Sequence, residues 1–109
     1  MVINDVELEF DLLDIETFEK YEEVKEKIST IDKEIKDMTP VESMKYQCTI
    51  IFDIFNDLFG EGTDKKIFGN RTNYGKCLDA LVMLIEEEAR QSKEIENKYK
   101  KYSVNRLKR

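Results

Sequence analysis

The side chains of this chain that could do chemistry are few, and their spacing favours structural roles. Asp53 and Asp57 lie four positions apart in a helical segment, so both carboxylates fall on one helix face, where such a pair can transfer protons or hold a cation. Because that face lies opposite the apolar face, a solvated polar stripe is the favoured interpretation. The run from Glu86 to Glu88 is interpreted in the same way. The sequence contains no histidine, the commonest general base and metal ligand.

A glycine-rich stretch, Gly60-Glu61-Gly62-Thr63, looks superficially like a phosphate-binding loop. It lacks the Gly-Lys-Ser/Thr ending, and Glu61 stands where an anion would need to approach. No nucleophile, base and oxyanion-binding group come together anywhere in the sequence. We therefore expect that the protein is not an enzyme, and that it uses no cofactor and no metal.

Two cysteines, Cys48 and Cys77, fall on the apolar sides of predicted helices. This placement predicts small core residues in a reducing cytosol. A disulfide between them remains an alternative, because the sequence does not show whether the geometry permits one.

Composition indicates one domain over residues 1–109, with 40% apolar and 39% charged residues. The net charge of −6 argues against general nucleic-acid binding. Residues 98–109 hold six basic residues and no acid, so they either bind an acidic partner or neighbouring copy, or form a solvated tail. The acidic start and short apolar runs predict no signal peptide and no membrane span, and hence a cytoplasmic protein.

Hydrophobic periodicity predicts a mainly α fold, in which a short N-terminal β-hairpin precedes a bundle of about three helices, the last one long. The predicted segments are a β-hairpin at 1–11, a helical hairpin at 14–59, a glycine-containing connection at 60–72, a long helix at 73–102 and a basic tail at 103–109. The tail is expected to fray. The apolar face of the long helix thins toward its end, so this helix is expected to project past the core.

Several helix ends can be located from local signals. Asp14 and Asn73 are predicted N-caps, the first of a helix running to about Asp37. Thr39-Pro40-Val41-Glu42 forms a capping box with proline at the first helical position. Gly60 is the predicted end of that second helix. The apolar seam of the first helix is expected to pack on the second helix, with an intermolecular coiled coil as the alternative.

Partner binding is the remaining class of function, and nine residues are candidates for it. The aromatic members are also typical of a core, and the Ile67-Phe68 pair is expected to anchor the connection onto the helices. The candidates are Phe52, Phe55, Phe59, Phe68, Leu81, Ile85, Lys98, Lys101 and Arg106.

Four stretches together suggest a family. They are residues 3–11 (INDVELEFD), 58–63 (LFGEGT), 66–69 (KIFG) and 101–106 (KYSVNR). In this order they resemble a family of small proteins from phages and prophages of Gram-positive bacteria, similar to the tail assembly chaperones of long-tailed phages. The resemblance spans nearly the whole chain, and its motifs are structural rather than catalytic.

The resemblance implies a chaperone that binds the long, aggregation-prone tape measure protein before the tail tube forms around it. It implies action in the host cytoplasm and absence from the mature virion, with the tail tube protein as a further partner. Homo-oligomers are expected on other grounds, because a helical chain this short often gains stability by self-association. The alternative is a small phage structural protein, or a host-directed regulatory or inhibitory protein that acts by protein–protein binding.

Overall fold

The computed structural model describes the backbone of residues 1–107 and the side chains of residues 1–105. Its elements are β1 (Val2–Ile3), β2 (Val6–Glu7), α1 (Ile15–Glu34), α2 (Pro40–Phe59), α3 (Thr63–Phe68) and α4 (Tyr74–Leu107). The predicted fold class is confirmed: a short antiparallel hairpin precedes helices, of which the last is the longest.

The N-terminal hairpin turns at Asn4 and Asp5, whose φ angles are 49° and 65°. Positive φ at both central residues is the geometry that a two-residue hairpin turn requires, and Asn and Asp tolerate it. Ile3 pairs with Val6 across the ladder. The strands are shorter than the predicted hairpin of residues 1–11: β2 ends at Glu7, and the last hydrogen bonds between the two sides join Met1 and Leu8. The chain continues without regular secondary structure to Asp11, turns at residues 12–13, and buries every second side chain, namely Leu8, Phe10 and Leu12.

The caps of the first two helices follow the sequence signals. The Asp14 side chain accepts a hydrogen bond from the N–H of Glu16. Thr39 and Glu42 form the complete capping box, with each side chain bonded to the other residue's backbone N–H. Gly60 ends α2 with a φ of 108°. The first helix is shorter than predicted, because it ends at Glu34 rather than near Asp37.

The predicted connection at 60–72 contains a helix that the sequence analysis did not identify. Helix α3 begins after Gly62, and the Asn56 side chain accepts a hydrogen bond from its first turn, at the N–H of Asp64, over 3.0 Å. Ile67 is buried. The Phe68 ring contacts the rings of Phe52 and Phe55 on α2. The expectation that Ile67 and Phe68 anchor the connection is confirmed on the α2 side.

Helix α4 begins after Asn73, whose side chain accepts from the N–H of Lys76 as the predicted cap. It ends at Leu107 rather than at residue 102, so the part of the predicted tail from 103 to 107 is helical rather than frayed. Lys108 and Arg109 lie outside the described residues. At about 1.5 Å per residue, 34 residues make a rod of about 50 Å. The longest dimension of the molecule is 60 Å.

Contacts along α4 show that it runs beside α2 in the same direction. Near its start, the Tyr74 hydroxyl donates to the Gln47 side chain over 2.8 Å. Further along, Gln91 bonds to the backbone of Phe10, whose ring lies 6.2 Å from that of Phe59 near the end of α2. The remaining turns of α4 therefore extend past the end of α2, as predicted.

The core lies where α1, α2 and the first half of α4 meet under the N-terminal segment. The seam of α1 packs on α2, as expected, and Tyr21 and Val24 are its buried members. Helix α2 contributes four buried side chains, Cys48, Ile51, Ile54 and Phe55. The buried side chains of α4 are Cys77, Ala80, Leu81, Leu84 and Gln91.

Candidate functional site

The Asp53–Asp57 pair lies on the exposed side of α2. Asp57 forms an ion pair with Lys27 of α1, with 2.6 Å between the carboxylate oxygen and Nζ. The hydrogen bond to Asp57 raises the pKa of Lys27. Both side chains keep about half of their surface exposed, so the pair contributes at most about 1 kcal/mol to stability. It joins α1 to α2, which is a structural role.

The glycine-rich loop uses its polar groups internally. The Thr63 hydroxyl donates to the carbonyl of Gly60 over 2.6 Å, and the Thr63 N–H bonds to the same oxygen. The N–H groups of Asp64 and Lys65 bond to the side chains of Asn56 and Asp64. A phosphate-binding loop needs such N–H groups free to face the anion. This loop is therefore a helix connection.

Cys48 and Cys77 are buried free thiols that face each other across the interface between α2 and α4. Of the two alternatives left open by the sequence, the structure has thiols rather than a disulfide. Burial, followed by the hydrogen bond with Cys48, raises the pKa of the Cys77 thiol to about 12. A thiol that resists ionisation is a poor nucleophile and a poor metal ligand. Both residues fill the core, as predicted.

The acidic run at 86–88 is not fully solvated, contrary to the sequence interpretation. The Arg90 guanidinium forms hydrogen bonds of 2.7 and 2.8 Å with both carboxylate oxygens of Glu87. This contact, with a weaker one from Gln91, lowers the pKa of Glu87 to about 2. Glu88 lies 3.9 Å from Lys25 of α1. Within residues 1–107, no three side chains of the metal-binding types come together as a candidate metal site.

Most of the predicted partner-binding residues lie in or beside the core. Phe55 and Leu81 are buried, so they cannot contact a partner while the fold is intact. Phe52, Phe59 and Phe68 are half-buried; Phe59 and Phe68 pack on Phe55, and Phe52 packs on Phe68. The structure thus shows the aromatic set in the core, which was the alternative interpretation of the sequence.

Ile85 is the one apolar candidate that faces outward, with 39% of its surface exposed. It belongs to a row that the sequence analysis did not single out. The row, here called the lateral stripe, consists of Leu78, Val82, Ile85 and Ala89. Spacings of four, three and four place these residues on one flank of α4, beside the core-facing side chains. Val82 is 50% exposed. In the sequence, this row could have been recognised because it is offset around the helix from the core residues Cys77, Leu81 and Leu84.

The basic candidates lie on the end of α4 that extends past the bundle. Lys98 lines a groove between α4 and the N-terminal segment, and Lys101 lies one turn further on. Tyr99 is 68% exposed. The backbone of Arg106 is helical, but its side chain lies outside the described ones. Residues 98–107 are called the arm below.

Gln91 is a structurally important residue that the sequence analysis missed. Its side chain accepts from the N–H of Leu12 over 2.9 Å and donates to the carbonyl of Phe10. These bonds fasten the extended N-terminal segment to α4. Gln91 also lines the groove, together with Asp11, Leu13 and Lys98.

Comparison with known protein families gives one match. The model of a family of unknown function, DUF6673, matches residues 4–109. The chain belongs to the DUF6673 family. Neither the curated proteins nor the solved structures contain a match. The match begins at the hairpin turn and covers all four helices.

The described residues of this DUF6673 chain present two exposed surfaces, the lateral stripe and the arm. Within the part that the structure describes, no helix has the length and apolar character needed to cross a membrane. Its exposed apolar side chains lie on helices that are already fixed by the core. Such a surface suits the binding of another helix or apolar segment, in which side chains three and four positions apart enter a groove.

Proposed function

We propose that the chain is a tail assembly chaperone of a long-tailed phage, which binds the tape measure protein and keeps it soluble during tail assembly. The sequence resemblance at residues 3–11, 58–63, 66–69 and 101–106 suggests this role, and the absence of a catalytic constellation in the sequence agrees with it. The proposal places the protein in the cytoplasm of the bacterial host and outside the mature virion. The tail tube protein is proposed as a second partner.

The observation that carries the proposal is the lateral stripe of α4. Val82 and Ile85 present an apolar row on a helix whose other face is held by the core. A preformed row needs little ordering on binding, so more of the free energy of burial is available as affinity. Burying such side chains contributes about 25 cal/mol for each Å² of apolar surface removed from water. The stripe is where we expect an apolar segment of the tape measure protein to bind.

Charge supports the same role. Residues 1–97 contain 24 acidic and 12 basic residues. An acidic surface around a bound apolar segment keeps the complex soluble, because like charges oppose association between complexes. A holding chaperone needs both properties, an apolar row for the client and a strongly charged surround.

Co-expression with the cognate tape measure protein tests the proposal. We expect the chaperone to move tape measure protein from the pellet into the soluble fraction, and to co-purify with it. The double variant Val82→Glu/Ile85→Glu should lose this effect, because two carboxylates would be buried in the complex. Met83→Glu is the matched control, since Met83 is similarly exposed, at 41%, but lies on another side of α4.

Two results would contradict the proposal. One is tape measure protein that is equally insoluble with and without the chain. The other is stoichiometric chain in purified phage particles, which would favour a virion component. Circular dichroism of each variant shows whether the helices remain, so that loss of binding is separated from loss of fold.

A further inference from the structure

The core-facing row of α4 continues past the bundle onto the arm. Leu84 and Gln91 are buried against the rest of the chain, and Ile95 is partly buried. The next position in the row is Tyr99, four residues further on, which is 68% exposed. Tyr99 thus lies in the row of α4 that faces the core earlier along the helix. At Tyr99, however, α4 has already passed the other elements of its own chain.

The arm is basic as well as aromatic. Residues 98–107 hold four of the 18 basic residues of the chain and none of its acids. Lys98 and Lys101 are both exposed, and Tyr99 and Tyr102 keep more than half of their surface exposed beside them. A surface of this kind favours a partner that is both apolar and acidic.

The N-terminal end of α1 presents that combination. Residues 11–19 contain four acids and no basic residue. Among those acids stand Leu13, Ile15 and Phe18, which are large apolar side chains exposed to solvent. Ile15 is 73% exposed, the largest value among the exposed apolar residues. This stretch, residues 11–19, is called the acidic segment below.

The two surfaces lie side by side at one end of the molecule. Gln91 binds the backbone of Leu12, and Asp11, Leu13 and Lys98 line one groove beside this contact. Lys98 is the first residue of the arm, which then leads away from the bundle as a continuous helix and leaves Ile15 and Phe18 of its own chain exposed. Adjacent surfaces of opposite charge match each other when a second copy is turned by a two-fold rotation.

We propose that the chain forms a two-fold symmetric dimer, in which the arm of each copy packs on the acidic segment of the other. Tyr99 and its neighbours cover Leu13, Ile15 and Phe18, while Lys98 and Lys101 face Glu16 and Glu19. Because of the two-fold symmetry, each apolar or charged contact forms twice and contributes twice to the free energy of association. This dimer is independent of the proposed chaperone role, because it does not use the lateral stripe.

Light scattering after size-exclusion chromatography of the full chain gives the first test. We expect a mass twice that of the monomer at about 100 µM protein in low salt, since a small reciprocal interface is typical of micromolar affinity. The dimer should dissociate at about 1 M NaCl, where the Debye length is about 3 Å. A wild-type chain that is monomeric at this protein concentration in low salt would overturn the proposal.

Charge exchange gives the second and more specific test. Lys98→Glu/Lys101→Glu makes the arm acidic, and Glu16→Lys/Glu19→Lys makes the acidic segment basic. Each variant alone should be monomeric, with at least a tenfold loss of self-association. Mixed in equal amounts they should form a heterodimer, because both reciprocal contacts then join opposite charges. The four residues carry no capping role that the structure shows, so the fold should survive, and circular dichroism verifies this.

The matched control is Lys33→Glu/Lys36→Glu, the same change of charge near the far end of α1, which should leave the dimer intact. Dimers that persist in both charge variants, or a mixture that stays monomeric, would overturn the proposed contact. If one variant unfolds, the chain that carries all four substitutions gives the decisive measurement. In that chain the arm is acidic and the acidic segment has become basic, so the two surfaces are again complementary. That chain should be dimeric, and a folded monomer would refute the contact.

Discussion

Replacing Gln91 by methionine isolates the contribution of its hydrogen bonds. Methionine keeps the length and helix propensity of glutamine but offers no amide to the N-terminal segment. In the wild type, Gln91 accepts from the N–H of Leu12 and donates to the carbonyl of Phe10, and both bonds are buried. The variant leaves these two backbone groups without their partner. We therefore expect Gln91→Met to destabilise the fold although it adds an apolar side chain.

The size of the effect follows from these two groups. An unsatisfied buried donor or acceptor costs about 1–3 kcal/mol. Some water reaches the segment once the clamp is gone, so a total of about 3 kcal/mol is expected for the pair. For a domain of this length, each kcal/mol lowers Tm by about 4–8 °C. The expected change is a fall in Tm of about 12–24 °C.

Thermal and urea unfolding followed by circular dichroism measure the loss, with Lys93→Met as the control, because Lys93 is exposed on the same helix. Hydrogen exchange shows where in the molecule stability is lost. The amide of Leu12 should lose its protection from exchange, while the amides of α2 should keep theirs. A Gln91→Met variant within about 0.5 kcal/mol of wild type would refute the reasoning. The apolar contacts of Phe10 and Leu12 alone would then hold the segment.

Three further predictions concern the loop, an acidic side chain and the thiols. Gly60→Ala should destabilise by about 1–3 kcal/mol, because Gly60 has a φ of 108° in a region that side chains avoid; Gly75→Ala should cost less in the same unfolding assay, because Gly75 has no positive φ and its new Cβ would only crowd the Asn73 cap, 3.3 Å from Oδ1. The lowered pKa of Glu87, about 2, adds stability at pH values above its unfolded pKa, near 4.3, and this contribution is lost as the pH falls through about 2. Glu87→Gln should therefore be less stable than wild type above pH 5 and equal to it near pH 2; a constant difference across that range would contradict the ion pair. Cys48 and Cys77 should react with Ellman's reagent only after denaturant is added, because burial raises the pKa of Cys77 to about 12; fast labelling of the native protein would contradict the buried position.

Features set by neighbouring residues were predictable from the sequence. The caps at Asp14 and Thr39 depend on side chains that bond to backbone groups two or three residues away, so a short stretch contains all the information. The hairpin turn at Asn4 and Asp5 is equally local. The fold class followed from these signals and from the hydrophobic periodicity.

Features that depend on distant residues were not predictable in the same way. Helix α3 has only six residues, too short to show a period, and it is stabilised by packing of Phe68 on α2. Gln91 stands among charged residues, and only its position seven residues after Leu84 indicates the core side of α4. The continuation of α4 to Leu107 could not be predicted from its apolar face. A face that thins toward the end of a helix is also typical of a helix end that frays.

The candidate binding surface shows the same division. Sequence reasoning selected large apolar and aromatic side chains, and five of the six lie in or beside the core. An exposed apolar row can be distinguished from a buried one only when it is known which side of the helix packs on the core. On α4 that direction places Leu81 inward and Ile85 outward, although both belong to the same apolar half of the helix.

Binding of the tape measure protein is the most direct test of the proposed function. The measurement is the soluble fraction of tape measure protein when it is co-expressed with wild type, with Val82→Glu/Ile85→Glu, or with Met83→Glu. We expect wild type and Met83→Glu to solubilise and co-purify the tape measure protein, and the double variant to fail while remaining folded. Tape measure protein that stays insoluble with the wild-type chain, or that is solubilised equally by all three, would contradict the proposed chaperone surface.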